Sequence, residues 1–134
     1  FSDLCLELVL RHFPDCRPPL AQRFPSYVLL ELTDGESDAP LRALLERGLA
    51  EAMESGLVRD ASLATSAARA DALWALRENI SEAQAREGNN IKHDVSLPVS
   101  AIDAFVEHAG AELARAHPAV RVVCFGHLGD GNLH

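Results

Sequence analysis

In three stretches of this chain the apolar residues recur at helical spacing, and each stretch must therefore lay one face against another part of the fold. The first runs from Leu41 through Leu44, Leu45, Leu49, Ala52 and Met53, with Pro40 suited to the first turn and Gly56 placed as a C-terminal cap. The second covers 66–86, with Leu73, Leu76, Ile80 and Ala83 as its stripe and Gly88 beyond its end. The third follows Pro98, with Ser100 as the expected cap, Asp103 as a weak capping-box partner, and Ile102, Phe105, Val106, Ala109 and Leu113 as the stripe. Ahead of all three, Leu4, Leu6, Leu8, Val9 and Leu10 predict an opening helix to about Arg11, and Pro14, Pro18 and Pro19 then interrupt regular structure.

Between the helices lie apolar or β-branched runs without that period. Residues 27–33 read as a buried strand, ended by Asp34-Gly35 and a polar loop through Asp38. Residues 57–63 read as a half-exposed strand carrying Arg59 and Asp60, residues 91–97 as a short extended segment before Pro98, and residues 119–125 as the last strand. The order is that of an α+β or α/β domain, and two split β-α-β units favour α+β: a ferredoxin-like antiparallel sheet of about four strands covered by helices.

With 134 residues, 48% of them apolar, the chain has the size of one domain with a real core. Twenty acids against 12 scattered bases give a formal charge of −8, which disfavours nucleic acid or an anionic membrane surface as a partner. No apolar run approaches the roughly 20 residues that span a bilayer, so a transmembrane protein is not expected. Cys5, Cys16 and Cys124 are an odd number and read as reduced thiols in a cytosolic setting. Phe1 is not a start methionine and His134 follows directly on the most polar loop, so a fragment of a longer protein is expected.

That last loop, Gly126-His127-Leu128-Gly129-Asp130-Gly131-Asn132-Leu133-His134, carries most of the chemistry. Neutral imidazoles bind zinc and similar ions, but two need a third ligand, and the spacing of His127 and His134 on an extended segment fixes no distance. They are either metal ligands or hydrogen-bonded structural histidines, with Asp130 as the one acid in the loop. Arg77 and Ser81 stand one helical turn apart, in line with Trp74, which suits a carboxylate; the plainer reading pairs Arg77 with Glu78 or Glu82. Lys92 is the single lysine of the chain and could neutralise a small anion, whereas His93 and Asp94 beside it read as surface residues.

Trp74-Ala75-Leu76-Arg77-Glu78, Ser81, Lys92, Asp94-Val95-Ser96-Leu97-Pro98 and the closing GHLGDGNLH string together resemble one family. The chain is similar to the C-terminal substrate or cap domain of FAD-linked D-2-hydroxyacid dehydrogenases and oxidases, of the D-2-hydroxyglutarate, D-lactate and glycolate type. The resemblance implies that His127 and His134 bind a divalent metal, commonly zinc, that polarises the substrate. It implies further that Arg77, Ser81 and Lys92 hold the substrate's carboxylates and that Asn132 lies near the flavin. A third metal ligand, a glutamate, and a histidine proposed as the base are expected beyond His134, and the FAD-binding domain before Phe1. The implied chain is thus a partial cap domain over residues 1–134, inactive alone, from an enzyme that passes electrons to an acceptor protein or quinone, in the cytoplasm or the mitochondrial matrix. The resemblance leaves room for a homodimer.

Two other classes compete with this reading. One is a non-catalytic ferredoxin-like module whose glycine loop binds a small effector. The other is a metal-dependent hydrolase, which needs a water-activating acid near the histidines and finds only Asp130.

Overall fold

A computed structural model describes residues 1–35 and 40–134; the loop expected through Asp38 lies partly outside the described residues. Among them the elements run α1 (Asp3–His12), α2 (Leu41–Glu54), α3 (Ala67–Glu78), α4 (Ile80–Glu87), β1 (Val95–Ser96), a 3₁₀ turn (Val99–Ala101), α5 (Ile102–Ala116), β2 (Gly126–His127) and β3 (Asn132–Leu133). The fold is α+β, and the strands form one antiparallel sheet in the order β1-β3-β2.

The core is built where α1 meets α4. Cys5, Leu6, Leu8 and Val9 of α1 pack with Leu76 of α3, Ile80 and Ala83 of α4, Tyr27 and Phe125, and all are buried. Ile80 is 1% exposed, and burying a side chain of that size stabilises by about 1.5–3 kcal/mol. An ion cluster closes the edge of this packing: Glu87 of α4 accepts from Arg11 at 2.6 Å and from Arg121 at 2.5 Å, and pairs with His12 at 2.7 Å. Those partners, the His12 contact foremost and Arg121 next, pull the Glu87 carboxyl down to about 2. The cysteines are free thiols; Cys5 donates to the Cys124 carbonyl at 3.3 Å, and burial pushes the Cys124 thiol up, which keeps it protonated.

The expected helices form. Ser66 caps α3 through its side chain, accepting from the Arg69 N–H at 3.2 Å. Gly56 follows α2 at φ +75°, and the Gly56 and Leu57 N–H groups bond back to the Met53 and Ala52 carbonyls, the paired bonds of a Schellman cap. The helix expected over 66–86 is instead two, because Asn79 takes φ −78°, ψ −3° and ends α3 before α4 begins. Beyond the break, Ile80 and Ala83 of α4 pack with α1 in the core. Ser100 does not cap α5; it sits inside the 3₁₀ turn that precedes it.

The strands depart from expectation. A ferredoxin-like sheet of about four strands is not formed among the described residues, where the sheet has three strands of two residues each. Residues 27–33 are not a buried strand: beyond the isolated Ser2–Ser26 bridge and the Tyr27–Phe1 backbone contacts they make no ladder, and Val28 is 74% exposed. Among the described residues, 57–63 also form no strand, and the segment expected to pair over 119–125 does so only at its end, where the Cys124 carbonyl accepts from the Ser2 N–H and Phe125 pairs with His134. An apolar run can state that a segment prefers extended backbone, but a strand exists only when a neighbour takes its N–H and C=O groups.

Candidate functional site

The GHLGDGNLH string folds into a hairpin. β2 and β3 pair antiparallel as Gly126↔Leu133 and His127↔Asn132, and Phe125 and His134 exchange both backbone bonds, at 3.3 and 2.8 Å, extending the ladder by one pair. Asp130 steadies the turn by accepting from the Asn132 N–H at 3.1 Å. Two glycines make the hairpin fit. Gly131 takes φ +71°, and a Cβ there would collide with the Leu97 carbonyl oxygen; a Cβ on Gly126 would collide with that of Asn132.

β1 pairs with the other edge of β3, Val95 opposite Leu133 and Ser96 opposite Asn132, and the Leu97 N–H donates to the Gly131 carbonyl at 3.0 Å. Continuing that register by one residue sets Asp94 opposite His134. Residues opposite one another in a ladder share a face, so Asp94, Ser96, Asn132, His134, Phe125 and His127 lie on one face, and Val95, Leu133 and Gly126 on the other.

The two histidines meet on the first face, with ring centroids 6.3 Å apart and ring planes at 82°. Each is held by a different neighbour. His134 bonds through Nδ1 to Asp94 Oδ1 at 2.6 Å, and its ring packs on Phe125 with centroids 5.0 Å apart. His127 receives Arg77: Nη2 donates to His127 Nε2 at 2.7 Å, and the guanidinium lies over the Phe125 ring, 5.0 Å from its centroid. Arginine has no acceptor, so His127 Nε2 is the acceptor and the ring proton sits on Nδ1, turned toward Asp130 Oδ2 at 3.8 Å. Arg77 thus pairs with neither Glu78 nor Glu82, and Glu82 is taken by Arg86.

The structure joins Arg77, His127 and His134 by direct contacts and adds Asn132 on the same sheet face. Ser81, on the first turn of α4, and Lys92, between α4 and β1, are exposed and make no side-chain hydrogen bond or ion pair among the described residues. Trp74 donates its indole N–H to Glu31 at 2.8 Å. Asp94, read from sequence as a surface residue, is the contact that sequence reasoning missed; its signal was the pairing of residues 95 and 133, which no local pattern displays.

The donor set fits a divalent metal in part. His134 has Nε2 free of the Asp94 contact, but His127 has its Nε2 occupied by Arg77, and among the described residues no three His, Cys, Asp or Glu side chains gather closely enough to hold an ion. Of the expected zinc site the described residues therefore show a pair of candidate ligands and no more. Asn132, expected near a flavin, shares that face.

No helix of the described residues is long and apolar enough to cross a membrane. Among curated proteins, the chain is 42% identical over 134 residues to the D-2-hydroxyglutarate dehydrogenase of Xanthomonas citri pv. viticola, covering 100% of this chain and 27% of that protein. It is 42% identical over 130 residues to the mitochondrial D-2-hydroxyglutarate dehydrogenase of Rattus norvegicus, covering 97% of this chain and 23% of that one. A putative mitochondrial D-lactate dehydrogenase of Schizosaccharomyces pombe is 35% identical over 129 residues, covering 87% of this chain and 24% of that protein. The chain spans about a quarter of the length of these relatives. The family model for the C-terminal domain of FAD linked oxidases matches residues 4–134, and the chain belongs to that family.

Proposed function

We propose that this chain is the substrate-binding and metal-binding cap of an FAD-dependent dehydrogenase that oxidises a D-2-hydroxyacid to the 2-oxoacid, with D-2-hydroxyglutarate as the favoured substrate and D-lactate the next. The observation that carries the reading is the Arg77–His127 contact at 2.7 Å, which puts a carboxylate-binding group beside a pair of candidate metal ligands on one sheet face. Within the whole domain we take the sheet to be completed toward the ferredoxin-like form.

In this reading Arg77, Ser81 and Lys92 receive the substrate's carboxylates, Arg77 through its bidentate fork and Lys92 as a compact charge. The same Arg77 N–H that now serves His127 would serve a carboxylate, so substrate arrival releases His127 Nε2. His127 and His134 would be two ligands of a divalent ion, zinc by donor type, which supplies Lewis acidity at the C2 hydroxyl when bound. FAD, held by another domain of the protein with Asn132 beside it, supplies the hydride acceptor when bound. The electrons pass on to an acceptor protein or quinone, and the enzyme works in the cytoplasm or, in a eukaryote, the mitochondrial matrix.

The test is the visible spectrum of the complete protein without air. Bleaching of a flavin band by D-2-hydroxyglutarate and not by its L-isomer is expected, with His134→Ala slowing it by roughly 100-fold or more. A colourless protein that binds a small ligand unaffected by His127→Ala and His134→Ala would instead make the chain a non-catalytic regulatory module.

A further inference from the structure

We infer that the cleft between the proline-bearing connection after α1 and the α3–α4 corner is a second ligand site, which takes a small organic anion: a carboxylate on an apolar body. The cleft measures about 450 Å³, within the roughly 300–1,000 Å³ of small-molecule sites. One wall is Phe13, Pro14, Pro18 and Pro19, and the other is Ala72, Leu73 and Ala75 of α3. Arg17, Arg69 and Arg86 enter between them. Arg77 does not line this cleft; it leaves α3 toward His127 and Phe125, so the two sites are separate.

Charge and packing both select the ligand. Three arginines meet one lining acid, Asp15, a local cationic excess in a chain whose formal charge is −8. Neither Arg17 nor Arg69 has a carboxylate partner among the described residues. Arg17 Nη1 donates to the Pro14 and Cys16 carbonyls, which are neutral, and the Arg69 side chain makes no hydrogen bond or ion pair. Arg86 is paired with Glu82 and held in place, its guanidinium 4.3 Å from the Phe13 ring centroid and its Nη1 on the His12 carbonyl at 2.9 Å. A guanidinium fork matches a carboxylate, and apolar walls are covered by an apolar body rather than by an inorganic ion. The walls are also preformed: Phe13, Cys16 and Leu73 pack against the buried core, the prolines stiffen the connection, and Asn79 reaches across to Cys16 Sγ at 3.9 Å. A site that exists before its ligand arrives loses little to ordering.

Cys16 is a free thiol in the cleft and reports on its occupancy. The experiment follows alkylation of Cys16 by iodoacetamide in the complete protein, read by peptide mass, with benzoate as the probe. Benzoate is expected to slow the alkylation saturably, while benzyl alcohol, which lacks the charge, and inorganic phosphate, which lacks the apolar body, protect far less. Arg69→Gln should raise the benzoate concentration needed by about 10-fold or more. Arg77→Gln should leave it unchanged, which keeps the fate of this site distinct from that of the Arg77–His127 site. Absence of protection by benzoate, equal protection by benzyl alcohol or phosphate, or protection that survives Arg17→Gln and Arg69→Gln together would overturn the proposal. So would a Cys16 that resists alkylation until denaturant is added, because another part of the polypeptide would then fill the cleft.

Discussion

Two parts of this molecule carry the same apolar helical periodicity and treat it differently. In α1 and α4 the stripe is consumed: Cys5, Val9 and Ala83 have no exposed surface, and Ile80 almost none. In α2 and in α5 beyond the buried Ile102 the stripe stays open, with Leu44 47% exposed and Phe105, Val106 and Leu113 more than a third exposed. Periodicity therefore establishes that a helix has a sticky face, but the partner of that face is a separate fact. α1 and α4 close on each other in one core, whereas among the described residues α2 buries none of its side chains.

The contrast can be broken or sharpened by substitution, followed by chemical denaturation of the 134-residue chain. Ile80→Ala removes a side chain from the closed packing and is expected to cost about 2–5 kcal/mol. Gly131→Ala forces a Cβ at positive φ against the Leu97 carbonyl and is expected to cost about 2–4 kcal/mol, with loss of the β1–β3 pairing visible by NMR. Next comes the Glu87 cluster, which ties α4 to α1. The folded carboxyl sits at about 2, below its unfolded value near 4.5, so the folded state binds fewer protons. Its contribution is whole above that unfolded value and is lost as pH falls toward 2; Glu87→Gln should flatten the acid limb of a stability–pH curve over that window, and an unchanged limb would remove the cluster from the account. Smallest of all, Leu44→Ala in α2 should change stability by about 0.5 kcal/mol or less. A Leu44→Ala loss as large as that of Ile80→Ala would mean that the open stripe is not open, and the contrast would fall.

The helices were legible in the sequence because their signals are local: Gly56 as a stop and a stripe that repeats every turn, although the expected cap at Ser100 did not form. The break at Asn79 was not, since a single asparagine inside a continuous stripe is tolerated as readily as it is broken. Strands at 27–33 and 57–63 were misread for a different reason, because β-branched content reports a preference for extension and is silent about pairing. The site divides along the same line. His127, His134 and Arg77 were conspicuous by type and spacing, whereas Asp94 acquires its place only from a pairing 40 residues away.

In the linear chain the two histidines are seven positions apart, an odd interval that on one straight strand would point them to opposite sides. The four residues from Leu128 to Gly131 convert that interval into a diagonal across a ladder, where both rings face the same way. The turn is thus a parity device. Deleting or inserting one residue there, if absorbed as a one-residue slip of β3 along β2, would leave every side chain of the motif present and send one imidazole to the back of the sheet. Length of the turn, as much as the identity of its residues, is what a lineage using this motif must preserve.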